Sequence, residues 1–341
     1  MGRNTAAFSS ARGITMVDRQ VRAVERTVEY APEGTVQLMM SDPPLHTQLR
    51  RLVAGAFTPG AVRALEPMVR RAVCDALDAI EPGTTANVVD VLSAPVPIYV
   101  LAALFDVPRS LWPDFRRWSD SMVQQLDEVD AEKQARNFAN IAELFEYFAI
   151  EGEARRREPR DDLLSLLANG TVDDRPLTAQ DFGNYCMLLL VAGNETTRNT
   201  MTGGVRALGL HPDQRALMIE HPERTAASTA EILRWVSPVQ GFGRTAMRDV
   251  VIRDQTIAAG DWVLLLYPSA NRDEDVWERA DTFDVTRPAD PPHVAFGFGP
   301  HMCLGAGLAA LELDIVFEEL LRRFPSFELA GEHTPVPGSL V

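Results

Sequence analysis

The chain has 341 residues, 46% of them apolar and 24% charged, enough for a large buried core. Its 33 basic and 48 acidic residues leave a formal net charge of -15, which argues against affinity built on phosphate neutralisation, so no nucleic-acid partner is expected. No apolar run approaches the roughly 20 residues needed for a membrane span, and the opening MGRNTAAFSSARG lacks the apolar centre of a secretory signal, so a cytoplasmic location is expected. Cys74, Cys186 and Cys303 lie far apart with no CxxC spacing, which points to neither a disulfide framework nor a zinc site.

In chain order, apolar residues recurring every three or four positions predict helices that begin at His46, Ala61, Leu111 and Lys133. Thr178 followed by Asp181 is a capping pattern, and the Pro-free run that follows lasts until Pro212. That predicts a helix of about 32 residues, ~48 Å long at 1.5 Å per residue. Glu223 to Val236 reads as another helix, stopped by Pro238. From Phe242 to Tyr267 the period changes, and VVI, TI and WVLLLY between RDQ and AAGD predict short strands and hairpins. A polar, irregular run from Asn271 to Pro292 follows, of a length that signals a functional or packed loop. The last helix is predicted from about Cys303 to Arg323, and no repeat or interdomain linker interrupts what reads as one domain, 1–341.

The segment FGFGPHMCLG, Phe296 to Gly305, brings a Gly-rich approach to a cysteine at the start of an amphipathic helix. Glycines allow close backbone approach to a flat cofactor, and amides near a helix start stabilise a thiolate. Such a thiolate on haem iron pushes electron density toward it and favours O–O cleavage, with Phe296 and Phe298 as candidates for its apolar shell. Taken alone, a buried structural cysteine beside a turn is the commoner arrangement. The full spacing of Phe296, Gly297, Gly299, Cys303 and Gly305, however, resembles the FGxGxxxCxG haem-binding loop of the cytochrome P-450 superfamily, in its soluble bacterial class.

That resemblance implies a mainly α fold with small β-sheets (α+β), haem b as cofactor, Cys303 as its axial ligand and His301 at a haem propionate. Midway along the long helix, AGNETT from Ala192 to Thr197 then matches the family's oxygen-binding stretch, with Ala192 and Gly193 against the haem and a widened turn. Glu195 and Thr196 match its acid–alcohol pair, which passes protons toward bound dioxygen. Met187, Leu188 and Val191, just before, and Val239 in VQGFG would line an apolar substrate pocket.

Glu231 and Arg234 stand three apart on one helix face, by themselves a commonplace pair. In the resembled family this ExxR is buried and locks the helix to the loop before the cysteine; Asn271, Phe283 and Arg287 stand in matching places. Thr282 departs from an Arg that relatives often carry, and Arg287 is the residue expected to compensate. His46 and Arg50 lie four apart on one helix side and match a pair that holds the propionates, joined by Arg244 in FGRTA. His293 is a further candidate for that task, whereas His211, His221 and His333 read as surface residues.

The resemblance runs from Phe8 to the end of the chain, and it implies a chain shortened at both ends, lacking the family's N-terminal helix and edge strands and its C-terminal strand. It also implies monooxygenation of a fatty acid, terpenoid or steroid by O2, with electrons from a ferredoxin or flavodoxin and its reductase, since no nicotinamide or flavin fingerprint is present. Arg70 and Arg71 are candidates for docking an acidic ferredoxin, a solvated helix face being the alternative. Two other readings remain open: a peroxide-dependent haem-thiolate enzyme, and a shortened non-catalytic remnant.

Overall fold

The computed structural model describes residues 1–14, 37–124 and 130–331. Helices α1 (Leu45–Ala54), α2 (Pro59–Ala64) and α3 (Glu66–Asp78) come first, and a wide turn, Val89–Ser93, leads into α4 (Pro95–Leu104). The segment expected to begin at Ala61 is therefore two helices, parted at Leu65, with Pro67 in the first turn of α3. Helix α4 is apolar all round, as a helix buried on every side must be. The chain continues through α5 (Trp112–Gln124), α6 (Ala131–Arg157) and α7 (Leu163–Ala168). Asp130 starts α6 by accepting from the amides of Glu132 and Lys133.

Helix α8, Ala179–Leu210, runs 32 residues without interruption, so the turn expected to widen at Gly193 does not. Thr178 caps it by accepting from the Asp181 amide, and Pro212 opens α9 (Pro212–Glu220). Helix α10 (Thr225–Val236) ends where Ser237 takes a left-handed φ of 44° ahead of Pro238. A one-turn helix, α11 (Tyr267–Ala270), precedes the irregular loop, and α12 (Ala306–Arg323) closes the described chain.

Strand β1 (Phe8–Ser9) pairs with β4 (Gly241–Ala246), which pairs with β7 (Trp262–Leu266); all three are antiparallel, with Arg244 opposite Val263. Two small hairpins, β2–β3 (Thr171–Val172, Arg175–Pro176) and β5–β6 (Val250–Ile252, Gln255–Ile257), complete the strands among the described residues.

Two apolar cores flank α8. One joins α3, α4, α8, α10 and α12 through residues such as Val73, Val100, Leu208, Ile232 and Phe317. The other joins α1 and α4 to α8 through Leu49, Leu101, Phe115, Phe148 and Leu190. A helix with core on both sides is held straight by packing rather than propensity. Among the described residues no helix is long and apolar enough to cross a membrane.

Candidate active site

Cys303 lies in a tight turn ahead of α12, not in it, because the helix begins only at Ala306. Its amide donates to the Phe296 carbonyl at 2.8 Å, and the Met302 amide donates to Gly299 at 3.0 Å. Gly297 and Gly299 take φ of 66° and 76°, values that favour glycine. At Gly299 a side chain would also strike the Gly2 carbonyl. The Gly305 amide donates to the Cys303 sulfur and opposes the upward push that burial gives the thiol. Water nonetheless reaches Cys303. The thiol is thus crowded by its own turn while the residue stays exposed. Phe296 packs against the core that includes α12, and the ring of Phe298 lies against Gly2.

A basic cluster adjoins this turn. Helix α1 buries His46, and the His46 and His301 rings stand 4.1 Å apart. His301 Nε2 lies 3.2 Å from Ser10 Oγ. Arg244, buried on β4, donates to the Gly243 carbonyl at 2.7 Å. Burial, then the charges of His46 and Arg244, hold His301 down at about 4, while Asp42 opposes them. Burial lowers His46 as well, with Arg50 adding to the effect. Asp42, the carboxylate in this neighbourhood, is engaged by Ser9 Oγ at 2.5 Å and the Ser10 amide at 2.9 Å. His46 Nε2 is buried without a partner, an arrangement that costs free energy unless an acceptor arrives. His293 stands apart from this group, half-buried against Phe296, and is held at about 4 by burial and by Arg234.

Helix α8 is docked on α1 by the Tyr185 hydroxyl, which donates to the Leu49 carbonyl at 2.9 Å. Val191 and Ala192 are exposed, and Leu188, Glu195 and Thr196 are half-buried, on adjoining stripes of the helix. Thr196 Oγ1 donates back to the Ala192 carbonyl at 2.8 Å. A Cβ at Gly193 would meet Leu101 at 3.0 Å, so this glycine lets α4 approach α8. Met187, only 6% exposed, belongs to the core beside α5. Val239 is half-buried between α10 and β4.

Glu231 and Arg234 are fully buried and joined twice, at 2.7 and 2.8 Å. Arg234 also donates to the carbonyls of Asn271, Ala280 and Thr282 in the irregular loop. Arg287 Nε stands 3.2 Å from Glu231 Oε2, a charge contact whose angle is too poor for a hydrogen bond. The side chain at position 282 is not used; its carbonyl accepts from both arginines. Asn271 joins Ser237 to the approach to the cysteine turn, donating to Ser237 Oγ at 2.7 Å and accepting from the Val294 amide at 2.8 Å.

Some expected surface roles change. Arg70 is ion-paired with Glu66, Glu318 and Glu319, leaving no spare charge for an acidic protein, whereas Arg71 is exposed. His211 packs against Phe283 and Trp235, His221 lies 3.3 Å from Glu223, and His333 falls outside the described residues. Ser9, Ser10 and Asp42 escaped sequence reasoning because their partners lie tens to hundreds of residues away.

The family model of cytochrome P450 matches residues 10–337. The chain belongs to the cytochrome P450 family. Linalool 8-monooxygenase of Pseudomonas putida is 38% identical over 298 residues, covering 87% of this chain and 73% of that protein. Steroid C26-monooxygenase of Rhodococcus jostii is 37% identical over 318 residues, covering 91% of this chain and 66% of that protein. A Mycobacterium marinum cytochrome P450 solved with pseudoionone superposes with TM-score 0.87 at 33% identity, covering 100% of this chain and 81% of the other. The fold is thus that of a cytochrome P450, and the activity is that of a monooxygenase. The P450 family implies haem, dioxygen, a small-molecule substrate and a source of electrons. The donor set fits that cofactor: an accessible sulfur receives an amide hydrogen bond, beside cationic and imidazole groups that lack sufficient acid partners.

Proposed function

We propose that this chain is a haem-thiolate monooxygenase of apolar small molecules of terpenoid, steroid or fatty-acid type. Cys303 would hold the haem iron through its sulfur, and His46, Arg50, Arg244 and His301 would neutralise the propionates. The observation that carries the reading is the accessible Cys303 sulfur, with the Gly305 amide on it, next to a basic cluster holding an unpartnered buried His46 nitrogen. Haem bound there supplies the iron at which dioxygen is reduced and split.

The chain's own groups do the rest. The Gly305 amide stabilises the thiolate over the thiol. The neutral imidazole of His46 can donate from Nε2 to a carboxylate. We infer that the accessible face of α8 stands opposite the Cys303 turn, with Leu188, Val191, Ala192 and Val239 excluding water around an apolar substrate. Glu195 and Thr196 pass protons inward; the Thr196 hydroxyl reaches that task by leaving the Ala192 carbonyl. Names of relatives support the substrate class, two of them being a linalool 8-monooxygenase and a steroid C26-monooxygenase.

The test begins with haem-loaded protein, reduced under carbon monoxide. A red-shifted thiolate band in the native chain and its loss in Cys303→Ser support the reading; a band indifferent to that substitution overturns it. Turnover of linalool or a steroid with NADPH, a ferredoxin or flavodoxin and its reductase is then expected. Equal turnover with hydrogen peroxide alone would assign the peroxide-dependent mode instead.

A further inference from the structure

Asn194, directly before the acid–alcohol pair, is completely buried. It points away from the exposed face of α8. Its Nδ2 donates to Ser119 Oγ of α5 at 2.8 Å, and Ser119 is itself buried. Its Oδ1 has no partner. Turning the amide over only exchanges which atom is left unpaired, so one polar group stays unsatisfied either way. An apolar residue of similar size would avoid that cost. Stability alone therefore does not account for asparagine here.

Position accounts for it better. Met187, Asn194 and Arg198 recur at spacings of seven and four, which makes one stripe of α8; Leu188, Val191 and Glu195 make the adjoining one. The first stripe is where α5 packs. Met187 shares a core with Phe115 and Trp118 of α5, and Arg198 reaches Asp120 at 3.9 Å. Helix α5 therefore runs beside the stripe that carries Glu195. Apolar contacts are non-directional and allow one helix to slide on another, whereas a buried hydrogen bond is satisfied in one register.

We propose that the Ser119–Asn194 hydrogen bond pins α5 in a single register beside the Leu188, Val191 and Glu195 stripe, making both residues positioning residues for the substrate. This rests on the monooxygenase reading above. The pin acts through α5 and touches neither substrate nor cofactor.

The experiment compares Ser119→Ala, Ser119→Thr and Asn194→Leu in the haem-loaded full chain. Three quantities are measured: amide hydrogen exchange across α5, the thermal midpoint, and linalool binding from the change in the haem absorption spectrum. Loss of the pin should speed α5 exchange roughly fivefold in Ser119→Ala and Asn194→Leu, as for one ordinary hydrogen bond. Linalool binding should weaken by a similar factor in both. Ser119→Thr keeps a hydroxyl and should behave as the native chain. Asn194→Leu should keep its thermal midpoint, because it also removes the unpaired amide atom, and a purely structural role would not produce weak binding in a stable protein. Unchanged α5 exchange in Ser119→Ala, or a Ser119→Thr variant as impaired as Ser119→Ala, overturns the pin. Faster exchange with unchanged linalool binding overturns its positioning role. Should Asn194→Leu fail to fold, the serine pair decides. Absence of linalool binding in the native chain counts against that substrate, while the exchange measurement still decides the pin.

Discussion

Arg287 approaches Glu231 to 3.2 Å at a carboxylate that Arg234 already holds by two hydrogen bonds. Both guanidinium groups also lie over Trp277, with centroid distances of 5.5 and 5.9 Å. One buried acid therefore faces two buried cations, and the loop before Cys303 is held by the carbonyls those cations collect. Glu231→Gln leaves the cations opposed and should cost about 3–5 kcal/mol in chemical denaturation. Arg287→Ala should cost less, about 1–3 kcal/mol. Arg287→Lys should not rescue it, because an ammonium cannot reach the Glu278, Arg279 and Thr282 carbonyls together.

Arg244 is buried, has no carboxylate within salt-bridge distance among the described residues, and is held below its ordinary pKa by burial. Arg244→Leu should therefore raise the stability of the haem-free protein by roughly 1 kcal/mol. The same change should weaken haem affinity roughly tenfold or more, since one of the two guanidinium groups assigned to the propionates is then gone. Thermal melts without haem and haem titration read the two effects, which have opposite signs.

Thr196→Ala removes a hydroxyl whose bond is to its own helix, so folding stability should barely change. Product formation should fall by about 100-fold if that hydroxyl relays protons. NADPH consumption should continue with peroxide released, and Thr196→Ser should retain product.

Gly193→Ala tests packing against cofactor contact. The added methyl would meet Leu101 at 3.0 Å. Overpacking of about 1–3 kcal/mol should outweigh the helix preference of alanine, giving a modest net loss. Combining it with Leu101→Ala should give less destabilisation than the two single losses added together, and the carbon-monoxide spectrum of Gly193→Ala should match the native one.

His293 is held at about 4 by burial and by Arg234, against an unfolded value near 6.5. The unfolded chain therefore binds the extra proton between these values. Stability from the neutral imidazole is complete above pH ~6.5 and drains away as the pH falls toward ~4. His293→Gln should flatten stability against pH in that window, as followed by denaturation at several pH values.

The chemistry was legible where it is carried by neighbours in sequence. A cysteine two to six residues from its glycines, an acid beside an alcohol, and a Glu three before an Arg sit within one turn or loop, and local spacing alone places such groups together. The long α8 was legible for the same reason, since its cap and its terminating proline are local signals. Tertiary structure decided what depends on distant partners. It set the face of α8 that stays exposed, gave Gly193 to Leu101, engaged Arg70 with Glu318, and joined Ser10 to His301 and Ser119 to Asn194. Those outcomes follow from close packing of side chains from separate elements, for which no periodicity in one segment carries a signal.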